Sequence, residues 1–449
     1  MLLIDDAIVV TLNDDHDVFF DGAVAVDGDR IVAVGPSAEV RASVPADGLR
    51  TIDAGGAAVL PGLVDLHYHT ALGRGWIDHL PLARSLEEFW YPVVRTIDPE
   101  AVHAAALLSY AESIRCGVTT VNDMYRHIPA MARAAEEIGI RAVLSNVVAD
   151  DEHGLDTLAD NEAGFRESHG AADGRVEVKV GIEWLPMSSI GLLEDAAALA
   201  ADLGTGVHIH LNESLGEVEI VRERFGRRPT EVARDCGLLG PATVAAHCVW
   251  LSDAEIGLMR ETGTQISHNP TSNAKLGTGV ARVLDYRAAG INVGLGHDSV
   301  EGVNSSDLFR VMRFASLVQR AVHRDADLLH AADLLTMATR NGSAALGHDA
   351  GVLEEGRKAD LIVLDLDDVA LTPLVRGNRN QLYSHLAFAA DGRSIRTVVI
   401  DGRVVMQDRR LAFVDEDEIR ARANEAFVRV LDAAGIGARV QTAVRRSGA

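Results

Sequence analysis

The sequence predicts an α/β protein: a (β/α)8 TIM-like barrel carrying a small composite β-sandwich domain built from both chain ends. Three observations predict it. From about Leu60 to Leu346, apolar β-type segments alternate with Ala-rich helical segments, the pattern of parallel βαβ units. Eight strand candidates fall in that stretch, the number that closes a barrel. On either side the chain consists of short alternating β-type runs separated by turn residues. The expected division is residues 1–56 with 347–414 for the composite domain, 57–346 for the barrel and 415–449 for a C-terminal helical segment.

Taken in order, LLIDDAIVVTL, AVAVDGDRIVAVG and LRTIDAGGAAVL read as antiparallel strands. The barrel strands are then LVDLHYH at 63–69, VTTVNDM at 118–124, RAVLSNVV at 141–148 and VEVKVGIEW at 176–184. They continue with GVHIHLNE at 206–213, TVAAHC at 243–248, TQISHNP at 264–270 and INVGLGHD at 291–298. Intervening stretches such as PEAVHAAALLSYAESIRCG carry the helical apolar recurrence and stop at glycine, as helix C-termini often do. Beyond Gly347, ADLIVLDL and IRTVVIDGRVVMQ return to β-type runs, and their DGR turn repeats the DGDR turn near the N-terminus, so the two ends are expected to share one sheet. From Asp415 onward, DEDEIRARANEAFVRVLDAAG reads as a helix with acidic residues at its start, where they favour the helix dipole.

The 66 acidic residues exceed the 42 basic ones, giving a net charge of −24 that repels phosphate backbones and anionic lipid. Nucleic acid and membrane are therefore poor partners, and a small-molecule substrate with a homo-oligomeric enzyme is expected. Cys116, Cys236 and Cys248 are too few and too scattered for a disulfide framework or a thiolate zinc cluster. Two aspartates interrupt the apolar start MLLIDDAIVV, and no run of 18 apolar residues occurs, so a cytoplasmic location is expected.

His67 and His69 lie two apart on the first barrel strand, so their side chains project to one side, about 7 Å apart along the backbone, and can converge on one ion. Strand ends are where barrel active sites form, and His210, His247 and Asp298 stand at the ends of strands five, six and eight. Imidazoles with one carboxylate match a borderline divalent ion; zinc is expected, with iron or manganese as alternatives. Glu213 follows His210 by three residues, in the place for a proton carrier beside water held on such an ion. His268 and Asn146, together with Trp76, Trp90 and Trp184 as stacking surfaces, are the candidate substrate contacts. His208 shares a side with His210 but lacks the following carboxylate, and Lys179 lies several residues before the end of strand four, so both are expected to be structural.

Together, PGLVDLHYHT, HIHLNES, AAHCVWLS, SHNPTSNAKLGTGVA and LGHDSVEGVNSSDLF resemble the amidohydrolase superfamily, specifically its cytosolic aminohydrolases. That branch includes S-adenosylhomocysteine and methylthioadenosine deaminases, guanine-type deaminases and triazine hydrolases. The resemblance implies that His67, His69, His210 and Asp298 hold the metal, Glu213 moves protons, His247 polarises the attacked carbon's substituent and Asp298 accepts a proton from the water. It implies hydrolytic deamination of an amino-substituted nitrogen heterocycle. Amide, ring-opening or triazine-type hydrolysis would use the same site, and a non-catalytic scaffold of this fold would be expected to have lost ligands. Two departures from the family pattern, His297 before Asp298 and EGVNSSDLF after it, fall around strand eight. A third feature bears on substrate: where the adenosine-type branch places a diol-holding glutamate, an arginine and a histidine, this chain is aligned with Val94, Asn146 and the Trp184–Leu185 segment. The substrate is accordingly expected to be a flatter heterocycle than an adenosine-type nucleoside.

Overall fold

Eight parallel strands close into a barrel in the computed structural model, which describes residues 1–45, 47–377 and 381–436. Strands one to three are Leu63–His69, Val118–Met124 and Arg141–Ser145; strands five to seven are Val207–Leu211, Val244–His247 and Gln265–His268. Strand four is broken at Lys179 into Val176–Val178 and Val180–Ile182, and strand eight is broken after Val293–Leu295 and resumes as Asp298–Ser299. Each broken strand pairs with one neighbour through its first half and the other through its second, so the two breaks join two five-stranded ladders into one ring. Strand one is buried along its whole length, as expected for a parallel sheet covered by helices.

The break in strand eight is built around Gly296. A Cβ there would lie 2.6 Å from Asn269 Oδ1 and 2.8 Å from the His67 amide nitrogen, so only glycine lets strand eight approach the first histidine this closely. His297 follows, and its Nδ1 and amide both meet the carboxylate of Asp65, at 2.5 and 3.0 Å, fastening strand eight to strand one. Burial opposes a proton on His297, but Asp65 outweighs it and raises the imidazole's pKa.

Both chain ends form one nine-stranded sheet. Its N-terminal half contains Leu2–Val10, Val18–Asp27, Arg30–Pro36, Arg50–Asp53 and Ala58–Pro61; Leu361–Leu364, Ile395–Ile400, Arg403–Gln407 and Arg410–Leu411 complete it. The two halves meet where Ala58–Pro61 pairs antiparallel with Leu361–Leu364. The DGDR and DGR turns abut: Gly402 has φ 71°, and a Cβ on it would sit 1.8 Å from the Gly28 carbonyl oxygen. Arg141, at the start of strand three and 2% exposed, ties the barrel to this sheet by donating to Asp360 at 2.8 and 3.1 Å and to Asp401 at 2.8 Å. The C-terminal helix runs over Glu416–Ala433, capped by Asp415, and packs along the barrel helix Pro99–Arg115. The rest of the expected helical segment, from 437 to 449, lies outside the described residues.

Candidate active site

All the histidines and the aspartate singled out as ligands come together at the C-terminal mouth of the barrel. His67, His69 and Asp298 offer ligand atoms within 4.8 Å of one another, as do His67, His210 and His247. Each is buried, and each imidazole is anchored from behind. His69 Nδ1 donates to the Met124 carbonyl oxygen and His210 Nδ1 to the Glu183 carbonyl oxygen, both at 2.6 Å. Burial lowers the pKa of both imidazoles, so they are neutral.

A carbonyl only accepts, so the protons of His69 and His210 are on Nδ1 and both Nε2 atoms carry bare lone pairs. Those Nε2 atoms face each other at 3.1 Å. Two lone pairs at that distance repel unless a cation lies between them. His67 Nε2 is buried without a partner, and Asp298 Oδ1 stands 3.8 Å from it and 3.4 Å from His69 Nε2. The donor set therefore fits a divalent ion of the zinc type.

His208, though not facing this centre, supports it. Its Nε2 lies 2.9 Å from His67 Nδ1 and its Nδ1 3.2 Å from Ser145 Oγ. With His67 Nδ1 donating, His208 donates onward to Ser145, and the relay fixes the tautomer that turns the His67 lone pair inward. Lys179 is not part of either ligand group: its Nζ donates to the Ala242 carbonyl at 2.6 Å, before strand six begins, and burial depresses its pKa to about 8.

Backbone strain concentrates here. His247 has φ 70° and Asp298 φ 81°, left-handed values unusual for residues with side chains. Neighbours hold them in place: His247 Nδ1 contacts Asn273 Oδ1 at 2.9 Å, and Ser272 Oγ donates to Asp298 Oδ2 at 2.5 Å. Glu213 Oε1 stands 3.8 Å from His247 Nδ1. Burial, then the Asp298 charge, pushes its carboxyl well above the usual range. Glu217, one helical turn on, grips the amides of Asn212 and Glu213 at 2.9 and 2.7 Å and so sets the direction of the Glu213 side chain.

Over the ligands lies a cavity of about 60 Å³, walled by Phe89, Trp90, Tyr91 and Trp184. Phe89 and Trp90 belong to a single π-helical turn, Leu86–Trp90, a form that favours functional sites. Trp90 meets the His69 ring at 5.0 Å between centroids. Trp76 is not on the wall; it stacks behind Phe89 at 5.8 Å and touches Phe427 of the C-terminal helix at 5.7 Å. Neither Asn146 nor His268 is among the lining residues. Asn146 donates to Asp156 at 2.7 Å, while His268 is buried with both ring nitrogens unpartnered and its pKa pushed down to about 3 by burial and then His247. Val94 is wholly buried and Leu185 likewise, and neither faces the cavity.

Two carboxyls in the wall are ones that sequence reasoning misses. Glu183 directly follows strand four, and its Oε2 is buried without a partner 4.0 Å from His210 Nδ1; burial, then the charges of Glu213 and Asp298, raise its pKa to about 8. Glu301 accepts from the Gly73 amide at 3.0 Å through Oε1 and leaves Oε2 unpartnered, with burial raising its pKa to about 7. The position of Glu183 near the end of the β-type run VEVKVGIEW is the available signal, since the other strand-end residues are chosen on that ground.

A site of neutral imidazoles and carboxylates at the mouth of a parallel barrel defines a metal-dependent hydrolase. Residues 58–405 match the Amidohydrolase family, and residues 22–43 match the Imidazolonepropionase-like composite domain of bacteria. Among curated relatives, a 5'-deoxyadenosine deaminase of Methanosarcina mazei is 36% identical over 95% of this chain and 97% of its own. An adenosine deaminase of Xanthomonas campestris, solved with bound zinc, superposes with a TM-score of 0.88 at 31% identity over 96% of this chain and 98% of that one. An atrazine chlorohydrolase of Arthrobacter aurescens, complexed with zinc, gives 0.84 at 26% identity over 95% and 100%. The chain belongs to the amidohydrolase family: it is a metal-dependent hydrolase of the deaminase kind, acting on carbon–nitrogen bonds other than peptide bonds. Among the described residues no helix is long and apolar enough to cross a membrane.

Proposed function

We propose that the chain removes ammonia hydrolytically from an amino-substituted nitrogen heterocycle, with one zinc ion held by His67, His69, His210 and Asp298. The observation that carries this is the buried Glu213 carboxyl poised beside His247 over the ligand set. A divalent ion held there would lower the pKa of a bound water to about 7. The Glu213 carboxyl would accept one proton and hand it to the departing nitrogen, and the Asp298 carboxyl would accept the other. His247 polarises the substituent on the attacked carbon, while Asn273 holds its ring in place. Phe89, Trp90 and Trp184 stack on the ring and exclude bulk water.

The ring we favour is a free heterocycle rather than an adenosine-type nucleoside. The space over the ligand set, at about 60 Å³, is smaller than the roughly 150 Å³ that accommodates benzene in an engineered core, so a ring requires the aromatic wall to yield. Val94 and Asn146, two of the positions behind this expectation, do not line the cavity, so its support is the size of the space and the aromatic face of Trp184. The second reading, an adenosine-type nucleoside, is favoured by what the Methanosarcina and Xanthomonas relatives are named for acting on.

The test is a screen of the zinc-loaded protein for ammonia release from aminated purines, pyrimidines, pterins and triazines alongside adenosine and 5'-deoxyadenosine, with product ring integrity checked by mass. Ammonia with an intact ring supports deamination; ring opening or chloride release from a chlorotriazine overturns it. A kcat/KM for adenosine, methylthioadenosine, S-adenosylhomocysteine or 5'-deoxyadenosine at or above about 10⁴ per molar per second selects the nucleoside reading.

A further inference from the structure

The cavity wall contains acceptors and no fixed cation. Glu183, Glu213, Asp298 and Glu301 line it, and among the described residues no lysine or arginine does. Asp298 and Glu213 are occupied by metal binding and proton transfer. Glu183 and Glu301 are not, and each has a carboxyl oxygen buried without a hydrogen-bond partner. Leaving such an atom unpaired is costly, which makes both positions demands on the ligand.

Glu183 is the more telling of the two because of its depth. Its backbone carbonyl accepts from His210 Nδ1, and its carboxyl lies 4.0 Å from that nitrogen, so it borders the cavity directly beside a ligand-set histidine. A sugar, attached away from the reacting carbon, would lie further out. Trp90 and Tyr91 flank the Glu183 carboxyl, yet its Oε2 is left buried without a partner in the cavity wall.

Resting on the reading that this cavity holds the substrate ring, we infer that Glu183 is a specificity-determining residue that pairs with an amidine edge of that ring, an N–C–NH unit. The two-point match holds wherever the shared proton sits: a carboxylate accepts two N–H bonds from an amidinium, and a carboxylic acid gives one and accepts one from a neutral amidine. The ligand class is thus a neutral or cationic amidine-edged heterocycle. Rings carrying phosphate or carboxylate meet Glu183 and Glu301 with no lysine or arginine among the described lining residues to offset them.

Two fused rings of equal size separate the alternatives: 2-aminobenzimidazole presents an amidine edge, and benzothiazole a single acceptor. Their binding to the zinc-loaded protein can be followed by quenching of tryptophan fluorescence, since Trp90 and Trp184 form the wall. We expect 2-aminobenzimidazole to bind about tenfold or more tightly than benzothiazole. Glu183→Gln should weaken the former about tenfold and leave the latter within about twofold, and Glu183→Leu should erase the preference, zinc content staying stoichiometric in both variants. Equal affinity of the wild-type protein for the two probes, or a preference that survives both substitutions, overturns the inference. Should the preference depend on Glu183 while no aminated ring in the screen yields ammonia, the recognition stands and the proposed reaction falls; should ammonia be released while the two probes bind equally, the reaction stands and the recognition falls.

Discussion

The metal-facing floor of the site and the aromatic wall above it are built on different principles. The floor consists of side chains at the ends of strands one, five, six and eight, each braced by hydrogen bonds to backbone carbonyls or to a neighbouring side chain. The wall is drawn from segments beyond strands one and four, including the π-helical turn at Leu86–Trp90, braced by stacked rings. A floor fixed by the barrel's own ladder suits chemistry that tolerates little displacement, and a wall on connecting segments can be reshaped without disturbing it. Reaction class and substrate choice are thereby separable in this molecule.

Substitutions can break or sharpen that separation. The largest effect is expected from the floor: His67→Ala or His210→Ala removes a proposed ligand, and both bound metal and turnover should be lost. Elemental analysis after loading decides it, and stoichiometric metal in either variant removes that residue from the ligand set. Glu213→Gln keeps shape but cannot carry the proton, so metal should stay while turnover falls by about 10² to 10⁴; near-normal turnover would assign proton transfer to another group. One layer further out, His208→Ala cuts the relay from Ser145 to His67 and should weaken metal binding about 10- to 100-fold, measured by competition with a chelator. The smallest effect belongs to the wall: Phe427→Ala removes the support behind Trp76 and Phe89 and should raise KM a few fold, roughly the worth of one lost aromatic pair, leaving kcat and metal content unchanged. A fall in kcat or metal content in that variant would show that wall and floor are coupled.

The same contrast explains what is legible in the sequence. Strand one is expected at 63–69 and is Leu63–His69; strand two is expected at 118–124 and is Val118–Met124. Period-two patterning and strand-end position both belong to the local sequence, so His67, His69, His210, His247 and Asp298 can be singled out without coordinates. The breaks at Lys179 and after Leu295 cannot, because they depend on how neighbouring strands meet. Nor can the wall. A glutamate such as Glu301 looks like any loop charge until the chain path brings it to the Gly73 amide and into the cavity. Asn146 and Val94 fail in the other direction: each stands at a plausible place in the chain, but one turns to Asp156 and the other into the core.

The shared sheet has a consequence for how the protein is made. Ala58–Pro61 finds its partner in Leu361–Leu364, so residues paired as closely as Leu60 with Ile362 leave the ribosome some 300 positions apart. At about 5 to 20 residues per second, the N-terminal strands emerge roughly fifteen seconds to a minute before the segment that covers their open edge. During that interval an apolar strand edge, itself the lead-in to the strand carrying His67 and His69, is exposed to solvent and to other nascent chains. The last fifth of the polypeptide, whose described residues contribute nothing to the metal centre, therefore acts as the closing piece of its biosynthesis, and chains stopped before Leu361 should be recovered as aggregates rather than as empty barrels.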